Sequence, residues 1–247
     1  SAAASANYHL SRNQSALQKS LTRLSSGSRI VQPVDDAGGL AVSMKLESAI
    51  TRLNGAQKNV QNATSFLEVQ DGILSASGKI LNRMIELKGL SDDVMKNSSD
   101  TGNYNREFQD LQQQIYDMSA LKFNGVSMFA QFSSETNNAE GVFNDTALDN
   151  TVSVYVSADG STGPTVSVSK SLLLSALTID TGTLAAGAFS TAGTGDVNSF
   201  ASADAASTIN LSDVSVGVFT QAIQNVATLR ADNGASMSRL RFAGEEM

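Results

Sequence analysis

The fold of this chain is decided by residues 42–87, which read VSMKLESAITRLNGAQKNVQNATSFLEVQDGILSASGKILNRMIEL. One apolar position recurs every seven residues, at Leu46, Leu53, Val60, Leu67, Leu74 and Leu81. Two further registers keep the same interval, one with Val42, Ala49, Ala56 and Ala63 and one with Phe66, Ile73, Ile80 and Leu87. A seven-residue repeat sustained this long is typical of a helix that packs against other helices as in a coiled coil. The stretch therefore predicts a bundle of long helices.

Other segments supply helices of the same kind. Helical spacing of apolar residues occurs in three places: Leu10, Leu17, Leu21 and Leu24; Tyr104, Phe108, Leu111, Ile115 and Met118; and Phe219, Ala222, Val226 and Leu229, with Met237 and Leu240 continuing the last beyond Asn233. Between the second and third segments, LKFNGVSMF at residues 121–129 places Asn124-Gly125 between apolar residues, which predicts a β-hairpin turn.

A joint between two helices is predicted at residues 25–42, SSGSRIVQPVDDAGGLAV. Gly27 is suited to end the first helix because glycine adopts positive φ without penalty. Pro33 disfavours helix at the residue before it. Asp35 or Asp36 can then accept hydrogen bonds from the free N–H groups that begin the next helix. A metal loop fits less well, because the alternating acidic spacing of a calcium loop is missing.

Residues 131–212 differ in composition, being rich in Ser, Thr, Gly, Ala and Asp. TVSVYV at 151–156 and TVSVSK at 165–170 alternate as half-buried strands do. We therefore expect a mainly α fold with a β-rich insertion, although disorder is the alternative for a region of such modest apolar content. The predicted parts are residues 1–34, the first helix and joint; 35–130, the first part of the helical domain; 131–212, a smaller β-rich domain; and 213–247, a C-terminal helix.

Composition argues against several functions. The chain has no Cys, one His (His9) and a net charge of −7. It therefore lacks a thiol nucleophile and zinc-finger spacing, and a Ser-His-Asp arrangement could use only a histidine close to the chain start. The basic residues are scattered, which disfavours nucleic-acid binding, and no apolar run approaches the roughly 20 residues of a membrane span. We expect no enzymatic activity, no cofactor, no metal, no nucleic-acid partner and no membrane insertion.

The assembled motifs resemble bacterial flagellin. The resemblance is specific in NQSALQKSLTRLSSGSRIVQPVDDAGGLAV at 13–42 and continues through 59–87, the hairpin FNGVSMF, and QAIQNVATLRADNGASMSRLRF at 221–242. It implies a flagellin trimmed at both ends, whose complete form self-assembles into an extracellular filament for motility. The implied partners are other copies of the subunit, an export chaperone, and hook-associated and cap proteins. Export without a cleaved signal peptide is also implied.

The resemblance implies two sets of functional residues. The first is the joint between the terminal helices and the helical domain, where glycines would permit close approach of a neighbouring subunit: Gly27, Arg29, Asp35, Asp36, Gly38 and Gly39. The second matches the family's contacts with a Toll-like innate immune receptor: Arg83, Glu86, Leu87 and Glu107. Asn82 and Ile85 depart from the well-recognised receptor pattern. A packing surface is the alternative interpretation of the second set, because Leu87 belongs to an apolar stripe.

Two other functions remain open at this point. Hook–filament junction proteins share the helical ends, but they tend to have proline where this chain has Ala37, which favours the filament subunit. A surface adhesin or glycan-binding module in residues 131–212 is the other alternative. Tyr155 is the only tyrosine there, so aromatic platforms for sugar stacking are scarce.

Overall fold

The computed structural model describes residues 2–130, 151–180 and 197–247, and the chain divides into two compact units, residues 1–55 and 56–247. The helices are α1 (Ala2–Ser26), α2 (Ala37–Ser91), α3 (Ser98–Ser119), α4 (Leu173–Ala176) and α5 (Val216–Glu245). Within the described ranges the strands form three antiparallel pairs: β1 (Lys122–Phe123) with β2 (Val126–Ser127), β3 (Thr151–Tyr155) with β4 (Thr165–Ser169), and β5 (Thr178–Asp180) with β6 (Val197–Ser199). This confirms the predicted fold class. No helix in these ranges has an apolar stretch that could cross a membrane.

The apolar stripe of α2 is buried in only part of the helix. Leu67, Leu74 and Leu81 are completely buried, and three of the four members of the register that ends at Leu87 are also buried, with only Ile80 partly exposed. Leu46 is exposed and Leu53 is only half-buried, although the seven-residue repeat predicts the same environment for both. The two lie in the 1–55 unit, whereas the buried members belong to the 56–247 unit, whose other helices cover them.

Helices α3 and α5 both run antiparallel to the 56–91 part of α2. Arg83 of α2 contacts Glu107 of α3, whereas Phe66, earlier in α2, contacts Phe123, which follows α3. Asp71 of α2 contacts Arg230 of α5, and the earlier Leu67 contacts the later Asn233. Helix α3 begins after Asn97 because this residue is a good N-cap. Its side chain accepts hydrogen bonds from the backbone N–H groups of Ser99 and Asp100, at 2.8 and 2.9 Å. Helix α5 continues past Asn233-Gly234, as predicted.

The predicted hairpin follows α3 directly. Asn124 and Gly125 have φ values of 48° and 81° and connect β1 to β2, with Phe123 paired to Val126. Positive φ at both central residues is what a two-residue hairpin turn requires, and Asn-Gly provides it at low cost. The hairpin places Phe123 edge-on to Phe66 of α2, with ring centroids 5.9 Å apart.

The described residues of the middle region, 151–180 and 197–212, pack into the core of the 56–247 unit, while the predicted division at residues 131 and 212 stays a prediction. Phe200 is completely buried between Phe108 of α3 and Phe219 of α5. The carboxamide of Gln112 also clamps the backbone of Ile209, accepting from its N–H at 3.0 Å and donating to its C=O at 2.9 Å. The described residues of 151–212 therefore complete the helical core, while 131–150 and 181–196 lie outside the described residues.

Candidate functional sites: the helical joint and an exposed charge cluster

The joint begins where α1 ends. Gly27 follows Ser26 with φ of +67°, the left-handed conformation that the sequence predicts for a helix-terminating glycine. A turn at Pro33 follows, closed by a hydrogen bond from the Asp35 N–H to the Gln32 C=O at 2.9 Å. The backbone therefore leaves α1 and enters α2 through two defined turns.

Asp36 caps α2. Its carboxylate accepts a hydrogen bond from the Gly39 N–H at 2.8 Å, and its backbone C=O accepts the first helical bond from Leu40 at 3.0 Å. A Cβ at Gly39 would lie 2.8 Å from Asp36 Cγ and 3.0 Å from Ile30 Cδ1, so the glycine accommodates the cap itself. Gly38 has only an ordinary contact with Asp36, at 3.8 Å. The close approach at Gly39 is thus explained within the chain.

Asp35 has a different role from its neighbour. It forms ion pairs with Lys19 and, at 3.4 Å, with Arg23, both on α1, and its side chain is only 6% exposed. The hydrogen bond from Lys19 is the main reason that the pKa of Asp35 is lowered from 3.8; the Val31 backbone and the charge of Arg23 add to it, and desolvation opposes it. Arg29 lies 3.8 Å from Asp36; the side chain of Arg29 is largely exposed and that of Asp36 is a little less than half exposed. The two aspartates therefore divide two tasks: Asp36 starts α2 and Asp35 holds the joint to α1.

We expect Asp36→Ala to weaken the start of α2 by about 1 kcal/mol, because the Gly39 N–H loses its acceptor. Faster amide hydrogen exchange at Gly39 and Leu40 is the measurement. Asp36→Asn is the matched control, since asparagine caps about as well as aspartate. Slow exchange retained in the alanine variant would contradict the assignment of the cap.

The stability of the joint should depend on pH because Asp35 is ionised in its ion pairs with α1. Because its pKa is lowered in the folded chain, its contribution is complete above the ordinary carboxyl range and is lost as the pH falls through a value below 3.8. We expect residues 27–35 to become more mobile by NMR relaxation over this acidic range. Asp35→Asn should show that mobility already at neutral pH, whereas Asp110→Asn, at an exposed carboxylate of α3, should not. Identical pH profiles for all three proteins would exclude the ion pairs as the cause.

An exposed charge cluster joins α2 to α3. The guanidinium of Arg83 donates to both carboxylate oxygens of Glu107, at 2.7 and 3.2 Å, and to Glu86 at 2.8 Å. These hydrogen bonds, with that to Glu107 the stronger, raise the pKa of Arg83 above its ordinary value. About two-fifths of the Arg83 and Glu107 side chains and more of Glu86 remain exposed. The cluster is a fixed charged surface that spans two helices.

The fourth residue predicted with this set does not share the surface. Leu87 is completely buried, one turn along α2 from Arg83. It therefore supports the helix from inside, as its apolar register indicates, and cannot touch a partner molecule directly. Ile85 is also partly buried against the core, while Asn82 is exposed.

Sequence reasoning missed the polar contacts between α2 and α5. Arg230 donates two hydrogen bonds to Asp71, at 2.9 and 3.0 Å, and the buried Asn233 donates to the Leu67 C=O at 2.9 Å. The signal available was weak: single polar residues beside an apolar stripe. These contacts set the antiparallel register of the two helices.

Together the fold and these sites define a mainly helical protein whose long helices pack into a bundle. Residues 1–134, more than half of the chain, match the family described as "Bacterial flagellin N-terminal helical region". The chain belongs to the bacterial flagellin family, which is a family of structural proteins.

Individual relatives agree with this assignment. The chain is 38% identical over 124 residues to "Flagellar filament 30.7 kDa core protein" of Treponema maltophilum, covering 50% of this chain and 44% of that protein. It is 27% identical over 235 residues to "Flagellin" of Listeria innocua, covering 95% and 74%. It therefore spans less than half the length of the Treponema protein. Among solved structures, Bacillus cereus flagellin matches with a TM-score of 0.52 at 21% identity, covering 77% of this chain and 89% of that one, which shows the shared fold.

Proposed function

We propose that this chain is a structural subunit that self-assembles into an extracellular flagellar filament, rather than a hook–filament junction protein or an adhesin. Family membership and the relatives support this function. Other copies of the subunit are the main partners, and an export chaperone and hook-associated and cap proteins handle it before and during assembly. Export without a cleaved signal peptide and the absence of enzymatic activity belong to the same proposal.

The observation that carries the proposal is the apolar stripe of α1. Its leucines are each more than half exposed: Leu10, Leu17, Leu21 and Leu24. Four leucines on one helical face leave an apolar surface that is stabilised only when another helix covers it. In a filament, packing of terminal helices would bury this stripe, and the joint of Gly27, Arg29, Asp35, Asp36, Gly38 and Gly39 would orient α1 for it, with Gly38 free to face a neighbouring subunit.

Electron microscopy of the full-length protein, returned from dissociating to polymerising conditions, tests the proposal. We expect filaments from the unmodified protein and none from Leu17→Asp. Gln18→Asp is the matched control, because it adds the same charge at the next exposed position, outside the leucine stripe. Failure of the unmodified protein to form filaments, or normal filaments from Leu17→Asp, would reject the role given to α1.

We further propose that Arg83, Glu86 and Glu107 form a contact site for a Toll-like innate immune receptor. The geometry of the cluster supports this proposal, because the three side chains are held together by hydrogen bonds and remain partly exposed. A preformed charged surface loses little side-chain entropy on binding. Leu87 contributes from the core, by supporting the turn of α2 that presents Arg83.

Receptor signalling by purified protein separates this site from a purely structural one. Arg83→Asp should weaken the dose response while helix content by circular dichroism stays the same. Arg239→Asp makes the same charge reversal at an exposed position of α5 and should signal normally. An unchanged response with Arg83→Asp would leave these residues only their role in packing α3 onto α2.

A further inference from the structure

Charge is divided unequally between the two units of the chain. Residues 1–55 carry six Lys and Arg side chains against three Asp and Glu, whereas residues 56–247 carry eleven against twenty-one. The first unit is therefore basic, although the chain as a whole has a net charge of −7. Two copies consequently attract each other when the first unit of one meets the second unit of the other.

The basic unit has an exposed apolar stripe on the first part of α2. Val42, Leu46 and Ile50 are each more than half exposed. Lys45 and Arg52 lie seven residues apart along one flank of this stripe, the position at which paired helices carry charges for their partner. Both side chains are exposed, and neither forms an ion pair within the described part of the chain. We call Lys45 and Arg52 the basic flank of α2.

Helix α3, in the acidic unit, has a matching pair of carboxylates. Asp110 and Asp117 are exposed and lie on its outer side, since the buried Phe108 and Ile115 mark its inner side. Neither aspartate forms an ion pair with any residue of the described ranges. They too are seven residues apart, so each pair of charges is separated by about 10.5 Å along its helix. Both carboxylates can therefore meet both cations of a basic flank at once.

We propose that the basic flank of α2 in one copy docks on α3 of the next copy, with Lys45 meeting Asp117 and Arg52 meeting Asp110. Charge complementarity identifies a second copy as the occupant, because the chain carries both halves of the contact at the same spacing. The contact joins two different surfaces, so each docked copy leaves one surface of each kind free. A head-to-tail contact of this type builds an open helical filament when it does not close into a ring.

The apolar neighbours of these charges require the two helices to be antiparallel. With the two ion pairs in place, Val42 of one copy lies opposite Leu121 of the other, and these side chains are 56% and 47% exposed in the single chain. In a parallel alignment Leu121 would instead face Ala56, which is already buried within its own unit. The antiparallel arrangement therefore covers apolar surface on both copies.

Charge reversal tests the contact, which rests on the self-assembly proposed above. Lys45→Asp with Arg52→Asp should raise the critical concentration for filaments by about tenfold or more, because like charges then face each other. Asp110→Lys with Asp117→Lys should do the same. All four substitutions in one chain should return the critical concentration close to that of the unmodified protein, since opposite charges face each other again.

The matched control is Lys96→Asp with Arg239→Asp, which makes the same change in net charge at exposed positions elsewhere and should leave the critical concentration unchanged. Salt gives a second readout: the effect of each double variant should shrink at 1 M salt, where the screening length is about 3 Å. Absence of filaments from the unmodified protein would reject the proposed function as a whole. Filaments whose critical concentration is the same in both double variants, or is not restored by the fourfold variant, would overturn this contact alone.

Cysteine pairs test the antiparallel register. The chain has no Cys, so Val42→Cys and Leu121→Cys each introduce a unique thiol. Filaments grown from a mixture of the two variants should give covalent dimers on mild oxidation, because the thiols then lie opposite each other. Val94→Cys, at a residue 93% exposed in the turn before α3, replaces Leu121→Cys in the control mixture and should give few. Equal yields from the two mixtures would overturn the register.

Discussion

Phe200→Ala is expected to lower the free energy of unfolding by about 3–5 kcal/mol, the range for removing a buried aromatic ring. The ring is completely buried, with its centroid 4.8 Å from that of Phe219 and 6.5 Å from that of Phe108. Its loss leaves a cavity where the middle region meets α3 and α5. Chemical denaturation followed by the helical circular dichroism signal measures the effect.

Phe242→Ala is the matched control for this result. Phe242 lies on α5 with its side chain 56% exposed, so its removal should change stability by no more than about 1 kcal/mol. The helical signal is the informative probe, because Phe200 lies outside the long helices. Equal effects of the two substitutions would show that the middle region does not share the helical core.

Leu67→Ala is expected to cost about 2–5 kcal/mol. Leu67 is completely buried in α2, and its C=O also accepts the hydrogen bond from Asn233, so a collapse around the cavity would disturb that contact with α5. Thermal or denaturant unfolding gives the value.

Val69→Ala, two positions along the same helix, serves as the comparison. Val69 is 42% exposed, and we expect a change of about 0.5 kcal/mol or less. If Leu67→Ala were as mild as Val69→Ala, the seven-residue stripe would not be the core of a bundle.

The long elements could be predicted because their signals are local and repeated. Leu67, Leu74 and Leu81 belong to a repeat that marks the same face of one helix at each turn of the pattern. Asn124-Gly125 matches a hairpin turn that few other dipeptides can form. What the repeat does not report is where the partner helices lie. Leu46 has the same pattern as Leu67 but is exposed, because burial depends on residues distant in sequence.

The candidate sites were predicted less completely. The presence of an aspartate cap at the start of α2 follows from residue type and position. The sequence alone cannot tell which of the two adjacent aspartates is the cap. Only the positions of Lys19 and Arg23 in the structure give Asp35 its separate role. Gln112 gave no sign of clamping Ile209, since a glutamine on a helix usually faces solvent. Phe200 stands alone in a Ser- and Ala-rich stretch, so no periodicity marks it as core.

The contact between Leu67 and Asn233 closes a loop of 166 residues, and this has a consequence for the order in which the chain can fold. Closing so long a loop is slow and entropically costly. Until α5 has been synthesised, α2 has no helix to cover its stripe on that side, and Phe200 has only one of its two aromatic neighbours. We expect the nascent chain to lack a stable core until α5 has been made. A core that is completed only by α5 therefore forms late, after residues 56–215 have already been made.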